Sequence, residues 1–329
     1  MKSFREIVDE SCSGSSGCEG LPSCVESHGN PRVPVRRAIR TLGNYLILTK
    51  PRVMELLLVT TAPTMILAHD GMPGLGLLIL TLIGGALSAA SASAFNMYID
   101  RDVDALMART EARPLVTGAI SPRAGLIFAW LLAGLSSAFF WTFVSTLAAA
   151  LSACAIIWYV VVYTLLLKRR TTQNIVWGGL AGCFPVLIAW ASVTGTVSWT
   201  ALILFLVVFF WTPAHYWPLS IRYGEDYRRA NIPMLGAVRA SHPVAVRVLM
   251  YAGATVFCSF ALIPVAQMGV VYSVSALIGG GWFVAHAARY VVATSGQGAG
   301  KPMQVFLASN IYLGFLFVAV AADTLLQLQ

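Results

Sequence analysis

Long apolar runs separated by short polar segments make up most of the chain from residue 53 onward. A helix needs about 20 apolar residues to cross a bilayer core of about 30 Å, and nine runs come close to or exceed that length. Because backbone polar groups in lipid must be satisfied within their own segment, each run is predicted to be a helix. The predicted spans are 53–69, 75–97, 123–143, 147–167, 174–194, 199–219, 243–265, 271–291 and 304–326.

The N-terminal segment has a different pattern, rich in Ser, Gly, Pro and charge and without an apolar run. Such a segment buries too little to offset its ordering entropy, so residues 1–42 are predicted to be a disordered cytoplasmic tail. No secretory signal peptide is predicted there. Its cysteines do not have a metal-binding spacing and are predicted to be free thiols. Residues 43–329 form the predicted transmembrane domain.

Composition supports a lipid environment, since 57% of the residues are hydrophobic and only 11% are charged. Soluble domains carry roughly 25% charged residues. The sequence therefore predicts an all-α integral protein of the lipid bilayer.

The net charge of +8 follows from topology rather than from a nucleic-acid partner. Lys and Arg lie in the tail, at the inner ends of helices, or in the loops after the even-numbered helices. The opposite loops, near 70–74, 144–146, 195–198 and 266–270, contain no Lys or Arg. The positive-inside rule then predicts a multi-pass protein of the inner (plasma) membrane, with a cytoplasmic N-terminus and an external C-terminus.

The most informative motif is a ladder of three polar residues, Asn96, Asp100 and Asp104, at the cytoplasmic end of the second predicted helix. Residues four apart on an α-helix share a face. Two carboxylates and an amide oxygen suit Mg²⁺, which commonly bridges carboxylates to substrate phosphates. Arg109 and Arg113 follow, four residues apart, and are candidates to clamp diphosphate oxygens. An ordinary charged helix end, with Arg101 and Asp104 as a surface pair, remains the alternative.

A stretch of small residues, 84–94, precedes the ladder and is predicted to let this helix pack closely in the bundle.

Two further groups lie near the same predicted membrane face. Glu225 and Asp226, beside three arginines, suggest a second carboxylate site that holds another Mg²⁺ or orients a diphosphate, unless this is a solvated loop. His215, among aromatic residues, is a candidate to contact a planar aromatic substrate or to ligate iron. A hydrogen-bonded core histidine is the alternative.

Five segments together carry a family resemblance: LTKPRV (48–53), NMYIDRDVDALMARTEARPLVTG (96–118), YTLLLKRRTTQNIVWGGLAGCFPVLIAWASVTG (163–195), WTPAHYW (211–217) and DYRRANIPML (226–235). With its ladder and arginines, the chain resembles the UbiA-type intramembrane prenyltransferases over roughly 44–326. The resemblance implies that the nine predicted transmembrane helices form a bundle around a central cavity.

Within that family, a lone Asp226-Tyr227 followed by IPML is similar to the haem-modifying branch, the protoheme IX farnesyltransferases. This implies farnesyl diphosphate and haem b as substrates and haem O as product. It also points to a haem A synthase or a terminal oxidase assembly as a partner. Three positions depart from the branch pattern: Ala214 and Gly236 where Pro is usual, and Asn231 where Gly is usual.

The resemblance assigns roles by position. Asn96, Asp100, Asp104 and Asp226 would hold Mg²⁺; Arg109, Arg113 and Lys168 would bind diphosphate; His215 and Tyr227 would contact substrate.

Two other functions stay open at this stage. One is prenyl transfer to a different aromatic acceptor. The other is a transporter or a haem-handling membrane protein. Transporter sites tend to lie near the bilayer midplane, whereas these polar residues cluster at one membrane edge.

Overall fold

The computed structural model describes residues 32–51, 55–295, 298 and 300–327. The described residues are almost entirely helical. The α-helices are α1 Arg32–Thr49, α2 Glu55–His69, α3 Leu75–Ile99, α4 Arg101–Asp104, α5 Pro122–Phe143, α6 Thr146–Ile157, α7 Asn174–Gly178, α8 Phe184–Thr194, α9 Trp199–Arg222, α10 Gly224–Arg229, α11 Leu235–Val238, α12 Ser241–Val265, α13 Val270–Ser295 and α14 Pro302–Gln327. A π-helical segment, Trp158–Leu167, continues α6, and a 3₁₀ segment, Gly179–Cys183, joins α7 to α8.

The all-α membrane fold is confirmed, but the count of nine spanning helices is not. Within the described ranges, eight helical segments are long and apolar enough to cross a membrane. The first predicted run, 53–69, corresponds to α2, of which the structure describes 15 residues, Glu55–His69, fewer than a full span needs.

The predicted disordered tail, 1–42, is described only in part. Residues 1–31, with Cys12, Cys18 and Cys24, lie outside the described residues. Residues 32–42 belong to α1, so a helix stands where disorder was predicted. The end of α1 has packing partners that local composition does not reveal: Tyr45 lies against Phe128, with ring centroids 4.9 Å apart, and Leu48 is fully buried.

The helices of the compact unit Arg40–Gln329 follow one another around a closed ring. In spatial order, α2, α3, α5, α6, α8, α9, α12, α13 and α14 are successive neighbours, and α14 returns to α2. Three long helices begin at serine caps: the hydroxyls of Ser121, Ser145 and Ser198 each accept a backbone N–H three residues later.

The small residues before the ladder pack as predicted. A Cβ at Gly84 would lie 2.8 Å from the Phe140 ring, so α3 and α5 approach closely there. The Ser91 hydroxyl donates to the Ala129 carbonyl oxygen at 3.0 Å, which ties the same two helices by a polar contact. This segment therefore anchors the helix that carries Asn96.

Large apolar side chains cover the outside of the bundle. Trp199 and Phe257, for example, are 77% and 76% exposed. Buried threonines and serines, such as Thr64 and Ser91, lie inside. This inverted distribution is typical of a surface solvated by lipid.

Candidate active site

The ladder forms one continuous polar face at the end of α3. Asn96 lies in the last turn of α3, Asp100 at its junction with α4, and Asp104 at the end of α4. Backbone bonds from the Asp100 N–H to the Asn96 carbonyl oxygen (2.9 Å) and from the Asp104 N–H to the Asp100 carbonyl oxygen (2.8 Å) carry the helical spacing through the junction. All three side chains are at most 3% exposed. Asp104 is therefore not an exposed surface residue.

Each ladder residue pairs with a different basic side chain. Lys50 donates to Asn96 Oδ1 at 2.7 Å. Lys168 forms a close ion pair with Asp100, and Arg113 forms one with Asp104. The structure thus brings five of the residues predicted from sequence into two side-chain groups along the ladder. Asn96, Asp100 and Lys168 form one, and Asp104 and Arg113 form the other.

Lys50 is a functional candidate that the sequence reasoning missed. It lies between α1 and α2 with a positive φ of 51°, and the fold brings it to the ladder from 46 residues away. Burial, together with the charges of Arg113 and Lys168, lowers its pKa to about 7. The sequence signal that could have identified Lys50 is its position in LTKPRV (48–53), one of the five segments that carry the family resemblance.

The ladder residues also bond to one another and to the π-helix. The Asn96 amide donates to Asp100 Oδ2 at 2.7 Å and to the Thr164 hydroxyl at 3.3 Å. Thr164 belongs to the π-helical segment, whose wide turn continues into Lys168, because the Lys168 N–H donates to the Tyr163 carbonyl oxygen at 2.8 Å. Rare π-helical turns occur frequently at functional sites. In this protein, the π-helical segment places Thr164 and Lys168 in contact with the ladder residues Asn96 and Asp100.

An outer ion pair borders the ladder. Arg169 donates to both carboxylate oxygens of Asp102 at 2.7 Å and lies 3.4 Å from Asp100. The hydrogen bonds from Arg169 hold the pKa of the Asp102 carboxyl below its usual range. Asp102 is exposed and lies off the ladder face, so Arg169 connects the surface to the buried carboxylate.

One carboxylate oxygen has the environment of a cation ligand. Asp104 Oδ1 is buried and has no hydrogen-bond partner among the described residues. A buried, unpaired carboxylate oxygen is costly unless something supplies positive charge. The described residues contain no cluster of three or more His, Cys, Asp or Glu side chains suited to one ion. The ladder fits Mg²⁺ as a partial ligand set that substrate oxygens and water complete.

The second charged loop lies partly outside this network. Asp226 is half-buried in α10, and no hydrogen bond or ion pair joins it to the ladder residues. The Arg109 guanidinium lies over the Tyr223 ring, 5.3 Å from its centroid, rather than beside a carboxylate. Glu225 is exposed and pairs with Arg228 and Arg229. For Glu225, this geometry fits the alternative interpretation of the loop as a solvated charged segment.

Tyr227 is the buried residue of that loop. Its hydroxyl lies 3.1 Å from the Tyr216 hydroxyl, and the residue is 4% exposed. Burial and the nearby Tyr216 raise the pKa of Tyr227 above its usual range, so it stays neutral and able to donate.

His215 has the contacts of a core histidine. Its ring stacks on Trp211, with centroids 4.2 Å apart, and lies 4.5 Å from the Phe306 ring. Nδ1 is 2.9 Å from the Ser309 hydroxyl. The ring and Nδ1 are thus engaged, and Nε2 has no hydrogen bond among the described residues.

Two of the three departures have a local account. Asn231 has a φ of 52°, a left-handed conformation that Asn tolerates better than most residues. A Cβ at Gly236 would lie 2.5 Å from the Ser220 hydroxyl oxygen and 2.8 Å from the Ile221 nitrogen, so α11 packs too tightly against α9 for Pro at this position. Ala214 is fully buried within α9, and nothing in the structure explains this departure.

Known proteins resemble this chain in sequence and in fold. A model of the UbiA prenyltransferase family matches residues 57–311. A protoheme IX farnesyltransferase from Paenarthrobacter aurescens is 55% identical over 295 residues, covering 88% of this chain and 92% of the relative. Another, from Pseudarthrobacter chlorophenolicus, is 56% identical over 281 residues, covering 85% and 88%.

Solved structures agree at the level of fold. A digeranylgeranylglyceryl phosphate synthase has a TM-score of 0.69 at 14% identity, covering 87% of this chain and 99% of that one. A UbiA homologue from Archaeoglobus fulgidus, solved with DMAPP and Mg²⁺, has a TM-score of 0.60 at 18% identity, covering 84% and 99%. The predicted bundle type is confirmed, and the chain belongs to the UbiA prenyltransferase family.

Proposed function

We propose that this protein transfers the farnesyl group of farnesyl diphosphate to a vinyl group of haem b, with addition of water, to give haem O and diphosphate. Relatives at 55–56% identity over most of both chains carry the name protoheme IX farnesyltransferase. The observation in the structure that carries the proposal is the buried ladder, in which carboxylates and basic side chains share one face.

The metal-binding role is proposed for Asn96, Asp100 and Asp104, with Asp226 approaching from the second loop. When bound there, Mg²⁺ supplies charge neutralisation for the departing diphosphate. The unpaired Asp104 Oδ1 supports this assignment. The homologue solved with DMAPP and Mg²⁺ shows that this fold accommodates a prenyl diphosphate with a divalent cation.

Diphosphate binding is proposed for Lys168, Arg113 and Arg109, with Lys50 added by the structure. Lys168 and Arg113 already lie at the ladder, and charge-assisted bonds from such groups to phosphate oxygens are strong. Arg109 reaches the diphosphate by leaving the Tyr223 ring.

The reaction then follows from this placement. The bond from farnesyl C1 to oxygen breaks, and its electron pair leaves with diphosphate, which gives an allylic cation. The haem vinyl carbon attacks C1, and water adds to the resulting cation with loss of one proton. The apolar bundle keeps other water away from the allylic cation. Each buried CH₂ of the farnesyl chain contributes about 0.8 kcal/mol.

The acceptor side is proposed to involve His215 and Tyr227. His215 offers Nε2 from an aromatic wall, and Tyr227 offers a neutral hydroxyl. We also propose a plasma-membrane location with the ladder on the cytoplasmic face, because Lys and Arg are confined to one set of loops. The proposed partner is a haem A synthase or a terminal oxidase, because of the role of the family.

The test is product analysis with purified protein, haem b, farnesyl diphosphate and Mg²⁺, followed by mass spectrometry, with EDTA as control. A metal-dependent, farnesylated and hydrated haem is expected. Asp100→Asn is expected to abolish it, whereas Asp102→Asn, an exposed neighbour off the ladder, retains most turnover. Release of diphosphate without a haem product would move the acceptor elsewhere. Full Mg²⁺-dependent turnover by Asp100→Asn would refute the role of the ladder.

A further inference from the structure

A cavity of about 510 Å³ lies between the end of α13 and the start of α14, away from the ladder. Its lining includes Arg289, Tyr290, Lys301 and Gln304, with His286 one turn before Arg289. None of the residues assigned above to metal, diphosphate or haem lines it. The cavity therefore needs an explanation of its own.

The positive charges of this cavity have no carboxylate partner within the part of the chain that the structure describes. Arg289 and Lys301 form no ion pair among the described residues. The sequence itself contains no Asp or Glu anywhere between positions 227 and 322. Both side chains are exposed rather than buried, and an anionic ligand in the cavity would meet positive charge that no described carboxylate neutralises.

A buried donor also lines the cavity. Tyr290 is 3% exposed, and its hydroxyl has no hydrogen-bond partner within the part of the chain that the structure describes. A buried hydroxyl without a partner is costly, which is why such groups normally find one. The hydroxyl oxygen is closed to water in this conformation, so a ligand oxygen in the cavity would become its partner once the Tyr290 side chain shifts slightly.

The cavity adjoins the lipid-facing surface. Trp282, whose ring contacts His286 with centroids 4.6 Å apart, is 39% exposed. Val292 and Leu307, on the two helices that border the cavity, are 72% and 58% exposed. A molecule with its head in the cavity has apolar surface beside it for acyl chains.

From these observations we propose that the cavity binds the phosphate headgroup of an anionic phospholipid. Arg289 and Lys301 pair with the phosphate, and the Tyr290 hydroxyl donates to one of its oxygens. Basic pockets between transmembrane helices on the cytoplasmic side are suited to anionic headgroups. The acyl chains lie against the exposed apolar side chains of α13 and α14. This site is independent of the proposed farnesyl transfer.

Native mass spectrometry of the full-length protein released from nanodiscs tests the proposal. The probes are phosphatidylglycerol and phosphatidylcholine, which share a phosphate but differ in net charge. The double variant Arg289→Gln/Lys301→Gln removes both cavity charges. The matched control, Arg123→Gln/Arg239→Gln, removes two exposed charges outside the cavity that also form no ion pair among the described residues. Thermal unfolding of each variant in detergent checks that it is folded.

The wild-type protein is expected to retain phosphatidylglycerol in preference to phosphatidylcholine. Loss of two basic side chains near an anionic headgroup should weaken that binding roughly thirtyfold. Tyr290→Phe keeps both charges and should weaken it about three- to tenfold. The control double variant should bind like the wild type.

Three results would overturn the assignment. Equal retention of the two lipids would remove the anionic preference. Unchanged binding in a folded Arg289→Gln/Lys301→Gln variant would place the lipid elsewhere. Displacement of phosphatidylglycerol by millimolar inorganic phosphate would identify the ligand as a free phosphate rather than a lipid.

Discussion

A substitution at Gly178 tests whether the π-helical segment positions Lys168 at the ladder. A Cβ at this position would lie 2.1, 2.8 and 2.9 Å from three carbons of the Tyr163 ring. Ordinary carbon contacts lie at about 3.5–4.0 Å, so in Gly178→Ala the ring or the α7 backbone must move by about 1.4 Å or more. Overpacking of this kind typically costs about 1–3 kcal/mol.

The displacement should also reach the active site. Tyr163 is in the π-helical segment, and its carbonyl oxygen accepts the Lys168 N–H at 2.8 Å. The neighbouring contact, from Trp158 Nε1 to the Trp177 carbonyl oxygen at 2.8 Å, holds α7 against the same segment. Since misplacement of a binding group by 1 Å can cost about a hundredfold in rate, kcat for farnesyl transfer should fall about ten- to a hundredfold.

The assay compares Gly178→Ala with Gly182→Ala, whose Cβ would have nothing within 4 Å. Thermal unfolding in detergent and single-turnover kinetics are measured for both. Gly182→Ala should behave like the wild type. In a Tyr163→Ala background the added cost of Gly178→Ala should drop below about 0.5 kcal/mol, because the clashing ring is gone. Equal stability and equal kcat for the two glycine variants would refute the reasoning.

Four further outcomes are expected. Asp104→Asn should lower kcat/KM at least about a hundredfold and weaken the Mg²⁺ dependence, which a Mg²⁺ titration of turnover measures; a wild-type titration curve would contradict the metal role. Lys50→Met should raise the KM for farnesyl diphosphate about tenfold or more, whereas the exposed Arg239→Met should not. A diphosphate analogue should draw the basic residues away from the ladder carboxylates and so tighten Mg²⁺ binding about tenfold, as measured by calorimetry. An unchanged Mg²⁺ affinity would mean that the metal and diphosphate sites are separate. Asp323→Ala should cost about 1–3 kcal/mol in unfolding experiments, since its carboxylate accepts the Gly269 and Tyr272 N–H groups at 2.6 and 3.0 Å, while kcat of the folded protein stays unchanged.

The sequence predicts the ladder well because its geometry is local. Residues four apart remain on one face even across the α3–α4 junction, where backbone bonds continue. The close packing of 84–94 is equally readable, since small residues in lipid have few other uses. The C-terminal end of α2 at His69 agrees with the predicted run, whereas its N-terminal end stays a prediction because residues 52–54 lie outside the described residues.

What the sequence did not predict depends on distant segments. Lys50 reaches Asn96 from 46 positions away, and Arg169 reaches Asp102 from 67 positions away. The π-helix lies in an apolar run whose composition equally fits an α-helix, so its wider turn has no signature in the hydrophobic pattern. The pairing of Asp104 with Arg113 rather than with Arg101 depends on how the chain turns after α4.

The paired ladder explains why its basic residues come from separate segments. Two carboxylates that are at most 1% exposed at a membrane edge are costly unless each has a cation beside it. Lys168 and Arg113 meet that requirement in the structure, and the same charges are those a diphosphate needs. Bringing a metal ion to the ladder would leave these cations without their carboxylates, and bringing a diphosphate would give them new partners. On the proposed metal and diphosphate roles, the buried arrangement would favour binding both together over binding either alone, because only together would all the buried charges remain compensated.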